Sequence, residues 1–278
     1  MNLIVQGHDL PTATLKALAK LTGATAIEAI SLTAFRLRAA NTGQRDEVAA
    51  FCEDNRIDCG WVPAERRIGD FGLLVMDMDS TLITIECIDE IADMQGLKPQ
   101  VSAITEAAMR GEIDFAESLR RRVSLLEGLD QSALQRVYDE RLQLSPGAET
   151  LLAAARAAGI KTLLVSGGFT FFTERLKPRL GLDYTAANTL EVADGKLTGR
   201  VLGDIVDAQG KADWLNRVRA ELGLGREQVV AMGDGANDLK MMAEAGISIA
   251  YRAKPVVRAQ ASYALSQVGL DGVIPLLG

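Results

Sequence analysis

Two carboxylates two positions apart, Asp77 and Asp79 in Asp77-Met78-Asp79-Ser80-Thr81, follow directly on the apolar run Gly72-Leu73-Leu74-Val75-Met76. Carboxylates this close repel, so their coexistence calls for a cation, a shared proton or separate directions into water. A hard divalent ion such as Mg²⁺ meets the first need, because it takes oxygen ligands and keeps waters that a phosphate can replace. A second acidic cluster, Gly233-Asp234-Gly235-Ala236-Asn237-Asp238, follows another apolar run, Gln228–Met232. After a third run, Ile160–Val165, comes Ser166-Gly167-Gly168-Phe169, whose amides and hydroxyl at a turn before a helix could hold an anion. Lys211 stands just after Gly210 at the predicted start of a helix, where a cation gains nothing from the helix dipole. Neutralising a phosphate would give it a use. Each motif alone also has an ordinary reading as turn residues or a solvated lysine. Two acidic clusters leaving strands of one sheet make metal binding the economical explanation.

The elements that would position these groups alternate. Apolar runs at 72–77, 160–165, 228–232 and 247–250 suit strands buried on both faces of a parallel sheet. Helical patterns at 148–158, 171–180, 211–222 and 238–245 lie between or after them, which predicts right-handed crossovers and a doubly wound α/β sheet. Ligands bind such sheets at the carboxyl ends of the strands, where the acidic clusters fall. From Glu86 to about Gln143 the pattern is helical throughout, in pieces at 87–95, 101–109, 115–126 and 132–141, so a helical insert is expected after the first strand. Asn188–Val192 and Leu197–Val201 read as a hairpin beside the sheet. Residues 1 to about 62 read as a separate β-α-β-β-α-β unit, and Pro63 with the charged stretch after it makes 63–70 the best boundary.

Composition narrows the function classes. The 278 residues are 48% hydrophobic and 24% charged, which suits a globular protein with one large core or two smaller ones. A formal charge of −7 disfavours general attraction to nucleic acid or anionic lipid, so an anionic substrate must be held by local design. Three cysteines, Cys52, Cys59 and Cys87, have no C-x-x-C spacing, which argues against a disulfide framework or thiolate zinc site and for a reducing cytoplasm. His8 is the only histidine and no G-x-S-x-G occurs, which removes the common hydrolase triads. With no basic leader and no stretch near roughly 18 apolar residues, neither export nor a membrane span is expected.

In this order, D-x-D-S-T at 77–81, S-G-G-F at 166–169, Lys211 and G-D-G-x-N-D at 233–238 resemble the four motifs of the haloacid dehalogenase (HAD) superfamily of phosphohydrolases. Over roughly 72–278 the chain resembles its phosphoserine phosphatases, on the strength of the insert, Glu86 and the stretch Asp114 to Val123. The resemblance implies a Rossmann-like HAD core at 69–278 with a helical cap insert at about 86–143. The front unit, 1–68, is similar to ACT-like α+β modules, and a homodimer through it is one expectation. By matching position, Asp77 would attack phosphorus and Asp79 would act as acid and base. Mg²⁺ would sit on Asp77, Asp234 and the Asp79 backbone carbonyl. Ser166, Gly167 and Lys211 would hold the phosphate, Asn237 would orient phosphate or substrate, and Asp238 would orient Lys211 or a metal-bound water. Glu86 would meet the substrate ammonium, Arg122 its carboxylate, and Phe115 would pack over it; arginine suits a carboxylate because its donors form a fork. Which of Arg120, Arg121 and Arg122 faces the site is open, although Arg122 and Phe115 can share a helix face. The implied activity is hydrolysis of O-phospho-L-serine, the last step of serine biosynthesis. Another small phosphomonoester, a second hydroxyl acceptor, or a non-catalytic amino-acid-binding protein are the alternatives.

Overall fold

A computed structural model describes residues 1–110 and 112–278, the side chain of Met109 apart. The chain opens with β1 (Asn2–Gln6), α1 (Thr12–Thr22), β2 (Ala26–Ala29), β3 (Ala34–Arg38), α2 (Arg45–Asp54) and β4 (Asp58–Val62). The strands pair antiparallel in the order β2-β3-β1-β4. Successive side chains of a strand face opposite ways, and β1 uses both faces. Leu3 and Val5 are buried against Leu15, Leu18, Val48 and Cys52 of the two helices, while Ile4 joins Val62 and Leu276 in the core of the main body. Polar contacts fix this docking. Asp58 accepts from the backbone N–H groups of Ser266 (2.8 Å), Gln267 (2.8 Å) and Val268 (3.1 Å), and the Tyr263 hydroxyl donates to the Trp61 carbonyl at 2.9 Å.

The main body starts at β5 (Leu73–Met76) and passes through α3 (Cys87–Asp93), α4 (Lys98–Met109), α5 (Phe115–Ser124) and α6 (Ser132–Glu140) before α7 (Ala148–Ala157) returns it to the sheet. Then follow β6 (Lys161–Phe169), α8 (Thr170–Leu180), β7 (Tyr184–Ala193), β8 (Lys196–Leu202), α9 (Ala208–Glu221), β9 (Val229–Gly233), α10 (Leu239–Ala243), β10 (Ile247–Tyr251) and β11 (Tyr263–Leu265). The sheet order is β11-β10-β9-β5-β6-β7-β8, parallel except where β8 joins β7. All four residues of β5 are buried, because helices cover both faces. Leu74 and Met76 pack with Leu151, Phe172 and Leu176 on one side, and Leu73 and Val75 with Leu215, Val218 and Met241 on the other. Each such side chain contributes roughly 1.5–3 kcal/mol on burial, so the strand that carries Asp77 at its end is firmly held.

The structure corrects the sequence reading at four places. The hairpin expected beside the sheet belongs to it: β7 runs from Tyr184 and pairs parallel with β6 before it meets β8. Its first residues, Tyr184-Thr185-Ala186-Ala187, form no apolar run and leave no periodic signal. β11 has only three residues and is equally silent. Ser166-Gly167-Gly168-Phe169 is extended chain within β6, with a register shift against β7, and not a turn. Lys211 does not start its helix; α9 begins at Ala208 behind Asp207, whose side chain accepts from the Gly210 N–H at 2.8 Å.

Candidate active site

β5, β6 and β9 are parallel neighbours, so the residues at their carboxyl ends share one edge. There they bound a cavity of about 490 Å³, closed from the other side by α3, α4 and α5. Its floor is a buried charge cluster. Lys211 Nζ lies 2.7 Å from Asp77 Oδ1 and 2.7 Å from Asp238 Oδ1. Met78 N–H donates to the same Asp77 oxygen at 2.7 Å, and Oδ2 has no hydrogen-bond partner among the described residues. The other oxygen of Asp238 accepts from the Asp234 and Gly235 N–H groups at 3.2 and 3.1 Å, which ties Lys211 to the loop after β9. Thr81 donates to Asp234 Oδ1 at 3.2 Å.

The electrostatics follow from that burial. Asp77 is pushed well above the usual carboxylate range by burial first and by the charge of Asp238, with Lys211 opposing. Asp234 is pushed up to about 6 by burial and then Asp238. Burial alone would pull Lys211 down, yet Asp238 and Asp77 outweigh it and hold the ammonium above its ordinary value. Ligand oxygens of Asp77, Asp234 and Asp238 lie within 4.8 Å of one another, against a single lysine. An all-oxygen set with surplus buried negative charge fits a hard divalent cation.

Asp79 stands between floor and roof. Its Oδ1 accepts from the Cys87 N–H at 3.1 Å, and Ser166 Oγ lies 3.5 Å from Oδ2. Burial, and then the charge of Glu86, pushes it up to about 7. A Cβ on Gly168 would come within 2.6 Å of Asp79 Oδ2, and one on Gly167 within 2.8 Å of the Phe115 ring, so a side chain at either position would displace Asp79 or Phe115. Asn188, buried in β7, donates to the Gly167 carbonyl and accepts from the Val206 N–H, both at 2.8 Å. It fixes the peptide between Gly167 and Gly168.

The roof comes from α3 and α5. Ser80 holds a left-handed conformation (φ +56°), uncommon for a non-glycine residue, and its hydroxyl donates to Glu86 Oε1 at 2.6 Å. Burial raises Glu86, with Ser80 opposing. Asp114 caps α5 by accepting from the Glu117 N–H at 2.7 Å, and Leu119 and Val123 anchor the helix in the core. Phe115, Ser118, Leu119 and Arg122, at helical spacing, then line the cavity. Arg120 and Arg121 are exposed, and Arg121 pairs with Glu117 at 2.7 Å; Arg122 is the arginine that faces inward.

Asp77, Asp79, Glu86, Phe115, Arg122, Ser166, Gly167, Lys211, Asp234 and Asn237 all line this cavity, and Asp238 meets it through Lys211. Sequence reasoning gave no role to Ser80 and Thr81, although both stand in the D-x-D-S-T motif, and it missed Asp89, Asn188 and Lys254; of these three, Asp89 had a signal in its place three residues after Glu86.

The family model described as haloacid dehalogenase-like hydrolase matches residues 74–243. The chain belongs to that family. A second family model, a domain of unknown function, matches residues 3–48 of this HAD hydrolase. The phosphoserine phosphatase of Polaromonas sp. is 55% identical over 216 residues, covering 76% of this chain and 92% of that protein. The unliganded structure of a probable phosphoserine phosphatase from Vibrio cholerae is 41% identical with a TM-score of 0.87, over 99% of this chain and 86% of that one. A phospho-aspartyl intermediate analogue of phosphoserine phosphatase is 38% identical with a TM-score of 0.70, over 75% of this chain and 99% of that one. Among the described residues, no helix is long and apolar enough to cross a membrane.

Proposed function

We propose that this HAD hydrolase cleaves O-phospho-L-serine to L-serine and inorganic phosphate, the last step of serine biosynthesis, through an aspartyl phosphate on Asp77. The observation that carries this reading is the charge layout of one cavity. Lys211, Ser166 and Gly167 share the floor with Asp77, while Arg122 and Glu86 present opposite charges at the roof. A phosphate suits the first end and a small zwitterion the second.

Asp77 Oδ1 is committed to Lys211 and the Met78 amide, which leaves Oδ2 to attack phosphorus in line. The P–O bond to serine breaks as the P–O bond to Asp77 forms, and Asp79 gives its proton to the departing serine oxygen. A group near 7 is partly protonated around neutral pH and suits that task. The Asp79 carboxylate then takes a proton from a water whose oxygen attacks phosphorus, releasing phosphate and restoring Asp77. Lys211, the Ser166 hydroxyl and the Gly167 amide hold the transferring oxygens, the main way proteins assist phosphoryl transfer. Asn237 orients the phosphate, and Asp238 orients Lys211. Mg²⁺, held by Asp77, Asp234 and the Asp79 backbone carbonyl, would supply positive charge against the repulsion between a carboxylate and a dianionic phosphate. Phe115 covers the amino acid, Arg122 takes its carboxylate in a fork and Glu86 its ammonium.

On this reading the functional division of the chain falls at about residue 68, with a cytoplasmic enzyme behind a front module. A second copy would pair through that module; the β2 edge and the exposed Ile27, Ile30 and Leu32 beside it support this, and light scattering measures it. The activity is tested by phosphate release from L-phosphoserine and from sugar, nucleotide and aryl phosphates, with Mg²⁺ and with a chelator. A chelator-sensitive preference for phosphoserine, with one serine per phosphate, is expected. Better turnover of another ester would overturn the substrate, and a serine yield exceeding phosphate would reveal transfer to another acceptor.

A further inference from the structure

Asp89 lines the cavity and has no task in the reaction as written. It lies three residues after Glu86, the residue that precedes α3, and both line the cavity. Arg122 lines the same chamber, yet no carboxylate oxygen lies within 4.0 Å of its guanidinium among the described residues, and its one side-chain hydrogen bond is a long 3.4 Å contact from Nε to the Ser118 carbonyl. The roof therefore holds two acids and one base without a direct ion pair, an arrangement that awaits a ligand bearing both charges. Glu86 has already committed Oε1 to Ser80. An ammonium carries three donors that point apart, so one carboxylate does not take them all, and Asp89 is the next carboxylate along the chain that lines the cavity. Burial raises both acids and Asp89 adds its repulsion to Glu86, while Arg122 opposes on both and Lys98 on Asp89, so a ligand cation adds to a field that these bases only partly offset.

We propose that Asp89 is a specificity-determining residue which, with Glu86, forms a two-carboxylate seat for the substrate ammonium and thereby selects phosphorylated amino acids over phosphorylated hydroxy acids. This rests on the roles proposed above for Glu86 and Arg122. A ligand with a hydroxyl in place of the ammonium brings no positive charge to the seat, leaving the two carboxylates of the roof beside an anionic ligand.

The test uses Asp89→Asn, which removes the charge at nearly constant size, with Asp89→Ser as a second variant. kcat/KM is measured on L-phosphoserine, on 3-phosphoglycerate, its hydroxyl counterpart, and on p-nitrophenyl phosphate, which has neither group. The preference for phosphoserine over 3-phosphoglycerate is expected to fall by about tenfold or more in both variants, mostly through KM on phosphoserine, the size of effect expected when a site loses a group built for one polar feature of its substrate. Proportional losses on both three-carbon substrates, or no loss on phosphoserine, would overturn the proposal. Turnover of p-nitrophenyl phosphate reports whether a variant has folded with its floor assembled. A parent enzyme that prefers phosphoserine while the variants keep its ratio defeats Asp89 alone, whereas a parent without that preference defeats the substrate reading as well.

Discussion

At the floor of the cavity Lys211 is paired at close range with two carboxylates; at the roof, among the described residues, Arg122 has no carboxylate within 4.0 Å and stands apart from Glu86 and Asp89. Lys211 touches two carboxylates at 2.7 Å and is almost wholly buried, and Asp238 spends both oxygens on the lysine and the loop after β9. Among the described residues, Arg122 has no carboxylate in contact, and Glu86 holds only Ser80 through its side chain. The contrast separates two tasks. Groups that stabilise a transferring phosphoryl must be in place before the substrate arrives, because reorganising them during the reaction would cost rate. Groups that read the rest of the molecule keep their charge free for it.

The contrast can be broken from either end. Asp77→Asn is expected to abolish turnover of every phosphoester, by on the order of 10⁴-fold or more, since removal of a covalent nucleophile has effects of that size. Phosphate release measures it, and a variant with full activity would end the covalent mechanism. Lys211→Ala should lower kcat by roughly 10²–10³-fold, the range for one lost transition-state donor. It should also lower thermal stability, because Asp77 and Asp238 are left buried without their cation; an unchanged melting temperature would contradict the buried cluster. Asn188→Ala should reduce kcat about tenfold with a smaller effect on KM, as a displaced anion strand mispositions the phosphate. Equal activity would make its two hydrogen bonds structural only.

Proton and metal binding sharpen the same point. Asp234 and Asp79 are raised to about 6 and about 7 in the folded protein, above their unfolded values. Folding without a cation therefore favours their protonated forms, and the stability they allow at low pH is lost as pH rises through those values. Mg²⁺ should raise the melting temperature more at about pH 8 than at about pH 5, where protons compete for the Asp234 oxygens. Calorimetry at the two pH values checks this, and equal shifts would remove the Asp234 carboxylate from the metal site.

Much of the floor was legible in the sequence because buried parallel strands are nearly continuous apolar runs, and Asp77 and Asp234 stand where such runs stop. The two-sided core around Leu73–Met76 follows from the same pattern. Asn188 was not legible: it lies in a strand whose first residues carry no apolar signal, and its purpose arises only where β7 meets β6. The left-handed turn at Ser80 and the inward direction of Arg122 are equally tertiary facts. The seat of Asp58 under Ser266, Gln267 and Val268 joins residues some two hundred positions apart, and no local pattern announces it.

If the floor carries the chemistry and the roof the selection, Arg122→Ala separates the two. kcat/KM is measured on phosphoserine and on p-nitrophenyl phosphate, for the parent and the variant. Phosphoserine should lose on the order of 10²-fold, the cost of one charged hydrogen-bonded contact, and the carboxylate-free ester far less. Equal losses on the two esters would end the division of floor from roof.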